Sequence, residues 1–150
     1  IDPGKSTGVG VLRRAAAGQK EKVLAWSTHD FHTVQTFMRE VFPDKSQVKI
    51  FIELPPQMMF ENQAKASAMK FNKGRDRIMS AVGGVRQEAK LLFDIFDREG
   101  WDVELVPPVR ETKWDAQRFR LFTGSSVSAN QHERDAVRLA KYYADKRTQN

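Results

Sequence analysis

The chain has 150 residues, with 25 Lys plus Arg against 19 Asp plus Glu for a formal net charge of +6, and it contains no cysteine. That is one domain's worth of chain with a single core, and the missing thiols exclude disulfide frameworks, thiolate catalysis, iron–sulfur clusters and cysteine zinc sites. The longest apolar run, residues 48–56 with Lys49 and Glu53 inside it, falls far short of the ~20 residues that span a bilayer. No secretory pattern opens the sequence, and the basic balance makes nucleic acid or another polyanion the leading partner class.

Taken in order, Ile1 and Asp2 read as the tail of a strand that turns at Pro3-Gly4. Residues 8–12 alternate Val with Gly and residues 22–28 are β-rich, so the two predict a hairpin across the basic loop at 13–22. Residues 33–42 carry Val34, Phe37, Met38 and Val41 at helical spacing, with Pro43 as the stop. Residues 48–54 read as a buried central strand ended by Pro55-Pro56, neither of which can donate to a ladder. A long helical region is expected over 61–98, interrupted near Gly83-Gly84, with Leu91, Leu92, Ile95 and Phe96 as the apolar stripe of its second half. Gly100 caps it, 101–106 alternates as a last strand before Pro107-Pro108, and helices over 113–122 and 131–145 close the chain. Trp101 and Trp114 are read as core. This order is that of an α/β layer fold whose middle strands are covered on both faces.

Acidic residues stand at the strand ends. A carboxylate inside Phe51-Ile52-Glu53-Leu54 is costly to bury alone, so Glu53 takes a cation, a metal ion or an exposed sheet edge. If the strands bearing Asp2 and Glu53 are neighbours, their ends lie about 4.8 Å apart and can share an ion; ligands of open α/β sheets gather at the carboxyl ends of strands. His132 and Asp135, at i and i+3, project from one face of the last helix. Three carboxylates with one imidazole suit Mg2+ or Mn2+ better than zinc, although charged i, i+3 pairs are also the ordinary pattern of a solvated helix face.

Two other motifs fail on physical grounds. Gly4-Lys5-Ser6-Thr7 contains a phosphate-loop fragment, but Pro3 removes an amide that a phosphate cradle uses, and strand-like residues follow where a helix is required. His132-Glu133 opens like a zinc-protease helix, yet Ala136 stands where the second histidine belongs.

Five segments together resemble the RuvC family of Holliday junction resolvases: Ile1-Asp2-Pro3-Gly4, Thr7-Gly8-Val9-Gly10-Val11, Phe51-Ile52-Glu53, Ser67-Ala68-Met69-Lys70 leading to Gly74-Arg75, and His132-Glu133-Arg134-Asp135-Ala136. The resemblance covers nearly the whole chain. It implies a single ribonuclease H-like domain over 1–150, with a central five-stranded mixed sheet flanked by helices on both faces. The first three strands would form an antiparallel meander and the last two would be parallel. It implies hydrolysis of phosphodiesters at four-way DNA junctions, leaving 5′-phosphate and 3′-hydroxyl ends. The implied ligands are Asp2, Glu53, His132 and Asp135, holding two Mg2+ or Mn2+ ions about 4 Å apart with Asp2 bridging them. Many members have Asp where His132 stands; imidazole removes one negative charge and tilts preference toward Mn2+. His132 serves either as a ligand or as a base for the attacking water. Some members insert an aromatic side chain three positions after the second acid, where this chain has Pro56, with Met58, Met59 and Phe60 close behind. The family also carries several residues ahead of the first Asp, so residues upstream of Ile1 are expected.

For DNA, Lys65, Lys70, Lys73, Arg75 and Arg77 form a basic segment suited to phosphate contacts, with Lys5 close to Asp2 and with Arg110 and Lys113 as secondary candidates. Branched DNA is the expected partner, a homodimer cutting two opposed strands the expected assembly, and the 91–96 stripe either its isologous patch or plain core. No small-molecule cofactor is expected, and the expected compartment is the cytoplasm of a bacterial or phage-infected cell, or an organelle matrix. The competing readings are a related nuclease cutting flaps, branched or linear DNA (terminase-like), a non-catalytic DNA-binding module, and a sugar-kinase or actin-like ATPase. The last requires a second phosphate-binding glycine hairpin, which the sequence lacks.

Overall fold

A computed structural model of the chain describes residues 1–13, 21–56 and 73–148, with the side chains at 73–79, 81, 82, 147 and 148 outside that description. β1 (Thr7–Arg13) pairs antiparallel with β2 (Lys22–His29), with a register shift between Val11 and Leu12. β3 (Lys49–Glu53) pairs in parallel with β4 (Asp102–Val106).

The segment Ile1-Asp2 is bonded to both pairs. Asp2 and Gly8 exchange backbone hydrogen bonds at 2.9 Å each, the Glu53 N–H donates to the Ile1 carbonyl at 3.0 Å, and the Ile1 nitrogen donates to the Phe51 carbonyl at 2.6 Å. β3 therefore has β4 on one side and Ile1 on the other. This overturns the edge-strand reading of Glu53.

Strand alternation then sorts side chains to two faces. Ile1, Val9, Ile50 and Ile52 join Val34 and Met38 of α1 (Phe31–Val41) and Ala89, Leu92 and Phe96 of α2 (Lys73–Arg98) in one core. On the opposite face Phe51 packs with Leu139 and Tyr143 of α4 (Gln131–Thr148). There Val137 also meets Trp114 and Phe119, the latter from α3 (Ala116–Thr123). Helices cover both faces, as the element order predicts.

Capping sets several boundaries that apolar periodicity misplaces. Asp30 accepts from the backbone N–H groups of His32 (2.9 Å) and Thr33 (2.8 Å), while the Thr33 hydroxyl accepts from the Asp30 N–H at 3.0 Å. This reciprocal cap starts α1 at Phe31, before the expected residue 33. Asp115 accepts from the Arg118 N–H at 2.7 Å, which starts α3 at Ala116 and leaves Lys113 outside the helix predicted over 113–122. Gly124, in left-handed conformation with φ 67°, ends it.

α2 runs unbroken through Gly83 and Gly84, contrary to the expected interruption; each glycine costs a helix only about 1 kcal/mol relative to Ala. The expected start of that helix at residue 61 lies outside the described residues. Its apolar stripe is split: Leu92 and Phe96 are fully buried in the core, Ile95 is half-buried and Leu91 is exposed. Trp101 and Trp114 are buried, as expected.

Candidate active site

The same alternation that sends Ile1 and Ile52 into the first core places Asp2 and Glu53 on the face occupied by α4. That helix can lie close because β1 offers glycine on this face. A Cβ at Gly8 would overlap the His132 carbonyl, and one at Gly10 would sit 2.5 Å from the Val137 nitrogen. The Gly-x-Gly of Thr7-Gly8-Val9-Gly10 is thus a groove for α4.

The start of α4 is fixed by a reciprocal cap: the Glu133 N–H donates to Asn130 Oδ1 at 3.0 Å and the Asn130 N–H donates to Glu133 Oε2 at 2.8 Å. Asn130 Nδ2 also donates to the Thr28 hydroxyl at 2.6 Å, tying the helix start to β2. With its first turn held there, α4 presents His132, Asp135 and Arg138 toward the strand ends.

These groups line a pocket of about 370 Å³ together with Asp2, Glu53, Pro108, Glu111 and Lys113. All four acidic or imidazole residues expected in the site therefore share one pocket. His132 Nδ1 stands 3.3 Å from Asp2 Oδ2, Lys113 Nζ donates to Asp135 Oδ2 at 3.0 Å, and Arg138 Nη2 lies 3.5 Å from Asp135 Oδ1. Burial pushes the Asp2 carboxyl above its ordinary value, partly offset by the hydrogen bond with His132. Burial also raises Glu53, reinforced by the neighbouring charges of Asp2 and Asp135 and opposed by Arg138. The pocket lining carries four carboxylates, Asp2, Glu53, Glu111 and Asp135, against the two cations Lys113 and Arg138.

As they stand, no three His, Asp or Glu side chains among the described residues are grouped closely enough to hold a metal ion, and Asp135 is turned to Lys113 and Arg138. The donor chemistry nevertheless fits a hard divalent cation: three carboxylates and an imidazole face one cavity, and buried Asp135 Oδ1 has no hydrogen-bond partner.

Of the expected DNA contacts, Lys5 is exposed in the turn after Asp2. Lys65 and Lys70, like Met58, Met59 and Phe60, lie outside the described residues, and Lys73, Arg75 and Arg77 are placed on the first turns of α2 by backbone alone. Lys113, a secondary candidate in the sequence, is exposed at the pocket and pairs with Asp135. Arg138 and Glu111 were not anticipated. The i, i+3, i+6 spacing of His132, Asp135 and Arg138 on one helix was the signal available for the arginine.

No family model and no curated protein matches the chain. Among solved structures, the RuvC of T. thermophilus in complex with a Holliday junction substrate superposes with a TM-score of 0.58 at 17% identity, covering 99% of this chain and 94% of that one. The chain shares the RuvC-like α/β fold.

Proposed function

We propose that this chain is a metal-dependent, structure-selective endodeoxyribonuclease that resolves four-way DNA junctions by phosphodiester hydrolysis, leaving 5′-phosphate and 3′-hydroxyl ends. The observation that carries the reading is the joint placement of Asp2, Glu53, His132 and Asp135 around one pocket, on a fold like that of a protein solved with a Holliday junction. In this reading Ile1-Asp2 is the end of a central strand that joins the two strand pairs into one five-stranded sheet, through its bonds to Gly8 and Glu53. The net charge of +6 supports a polyanionic substrate.

Asp2, Glu53, His132 and Asp135 would hold Mg2+ or Mn2+, two ions in the complete complex; when bound, the ions supply activation of water and stabilisation of the leaving 3′ oxygen. The residues' own work is separable from that. Asp2 accepts from the His132 ring, which orients the imidazole beside the carboxylate. The Asp115 cap keeps Lys113 out of α3 and free to reach Asp135. Lys5, in the turn after Asp2, and the basic residues Lys65, Lys70, Lys73, Arg75 and Arg77 would hold the DNA backbone. Two copies acting as a homodimer in the cytoplasm would cut opposed strands of one junction.

The test is cleavage of a synthetic four-way junction beside flap, linear duplex and single strand, in Mg2+, Mn2+ or chelator, with Asp2→Asn as control. Paired symmetric nicks that need both metal and Asp2 are expected. Equal cutting of flap or linear DNA would assign the chain to the broader nuclease class, and binding without cutting in any metal would make it a DNA-binding module.

A further inference from the structure

Among the described residues that line the pocket, Arg138 is the cation that the fold holds buried there. Its side chain is 5% exposed; Nη1 donates to the Glu111 carbonyl at 2.7 Å, Nη2 faces Asp135 Oδ1 at 3.5 Å, and Nε is buried with no hydrogen-bond partner. A guanidinium does not shed its proton in a protein, and the Glu111 anchor keeps it from swinging out. Lys113 is the opposite case. Its side chain is 68% exposed and reaches Asp135 Oδ2 through a single 3.0 Å ion pair, so it can leave for solvent at little cost. The two oxygens of Asp135 are therefore unequal, Oδ1 set against a fixed charge and Oδ2 against an exchangeable one.

We propose that Arg138 is a built-in counter-ion that limits the pocket to one tightly held divalent cation until a phosphate enters; this rests on the metal-dependent reading above. Among the residues that line the pocket, the four carboxylates of Asp2, Glu53, Glu111 and Asp135 set against the two cations Arg138 and Lys113 leave two negative charges. One divalent ion cancels that charge. A second makes the pocket strongly positive, which an anionic phosphodiester then offsets.

The experiment is Mn2+ titration of the DNA-free protein, followed by the electron paramagnetic resonance signal of free Mn2+. Wild type is expected to hold one tight ion per chain. Arg138→Met is expected to admit a second ion or to bind the first at least about tenfold tighter, the direction that follows when a positive charge beside a ligand carboxylate is removed. Arg138→Lys keeps wild-type stoichiometry. Arg138→Gln retains a donor for the Glu111 carbonyl without the charge and repeats the methionine result should Arg138→Met fail to fold. Two equally tight ions on the wild type overturn the proposal with no variant needed, as does unchanged Mn2+ binding in the folded neutral variants. In the latter case one-ion binding by the wild type leaves the metal-dependent reading standing; no Mn2+ binding by the DNA-free wild type overturns this proposal alone, because the metal-dependent reading falls only if junction cleavage is the same in metal and in chelator. A purely structural role for Arg138 moves melting temperature but not ion stoichiometry.

Discussion

Gly8 and His132 meet backbone to backbone: the strand residue has no side chain where the helix carbonyl lies. This contact sets how near α4 comes to the strand ends, and hence whether His132 and Asp135 can stand over Asp2 and Glu53.

A methyl group at that contact must push the helix away. Gly8→Ala and Gly10→Ala should each destabilise the fold by about 1–3 kcal/mol, the usual cost of overpacking, read as a lower urea midpoint at constant slope. Gly83 is the control, since nothing lies within 4 Å of its added Cβ and it sits inside a helix; Gly83→Ala should stabilise by roughly 0.5–1 kcal/mol. Equal effects at Gly8 and Gly83 would remove the close-approach argument.

Burial raises Asp2 and Glu53, so the folded chain binds those protons more tightly than the unfolded chain does. Ionising them opposes folding at neutral pH; the penalty is relieved as pH falls through the raised folded values and stops changing below the unfolded ones near about 4. Glu99, held low by its hydrogen bond with Arg39, works in reverse, and its stabilisation is lost as pH falls through the lowered value. In chelator at pH 7.5, Asp2→Asn should therefore melt above wild type, by roughly 2–4 °C for each ~1 kcal/mol at this chain length. The difference should shrink toward pH 5, and added Mg2+ should raise the melting temperature of wild type only. A variant that melts below wild type at pH 7.5 would refute the charge-strained site.

At the helix pair the expectations diverge. His132→Asp replaces one metal-compatible donor by another and should retain junction cleavage, while Asp135→Asn removes a carboxylate and should abolish it, a loss of about 10³-fold or more on the scale of other removed catalytic groups. Single-turnover cleavage in Mg2+ and Mn2+ measures both; equal activity of the two variants would sink the ligand assignment.

Asn130 is not in the pocket, yet α4 starts from it. Asn130→Ala loses the side-chain half of the cap, the bond from the Glu133 N–H, and the bond to Thr28, and should cost about 1–2 kcal/mol in chemical denaturation. Thr28→Val, which breaks only the link to β2, should cost less.

Much of this was legible in the sequence because it depends on local chemistry. Strand alternation, the Pro-Pro terminators and the i, i+3 spacing of His132 and Asp135 are properties of a few adjacent residues, and each placed its group on the pocket side. Helix starts were misplaced where apolar periodicity was followed instead of a cap, as at Asp30 and Asp115. Arg138 and Glu111 escaped because their role depends on a contact across 27 residues, between a side chain of α4 and a loop carbonyl. The glycines of β1 were visible as a pattern, but what they make room for becomes apparent only once α4 is docked.

His132 and Asp2 touch across a sequence separation of 130 residues. During synthesis Asp2 and Glu53 leave the ribosome long before α4 does, at roughly 5–20 residues per second, and until α4 docks they are only two carboxylates at strand ends. A growing or clipped chain that lacks α4 cannot assemble the pocket, so whatever chemistry the pocket performs would be withheld from every partial product and conferred in one step by completion of the fold.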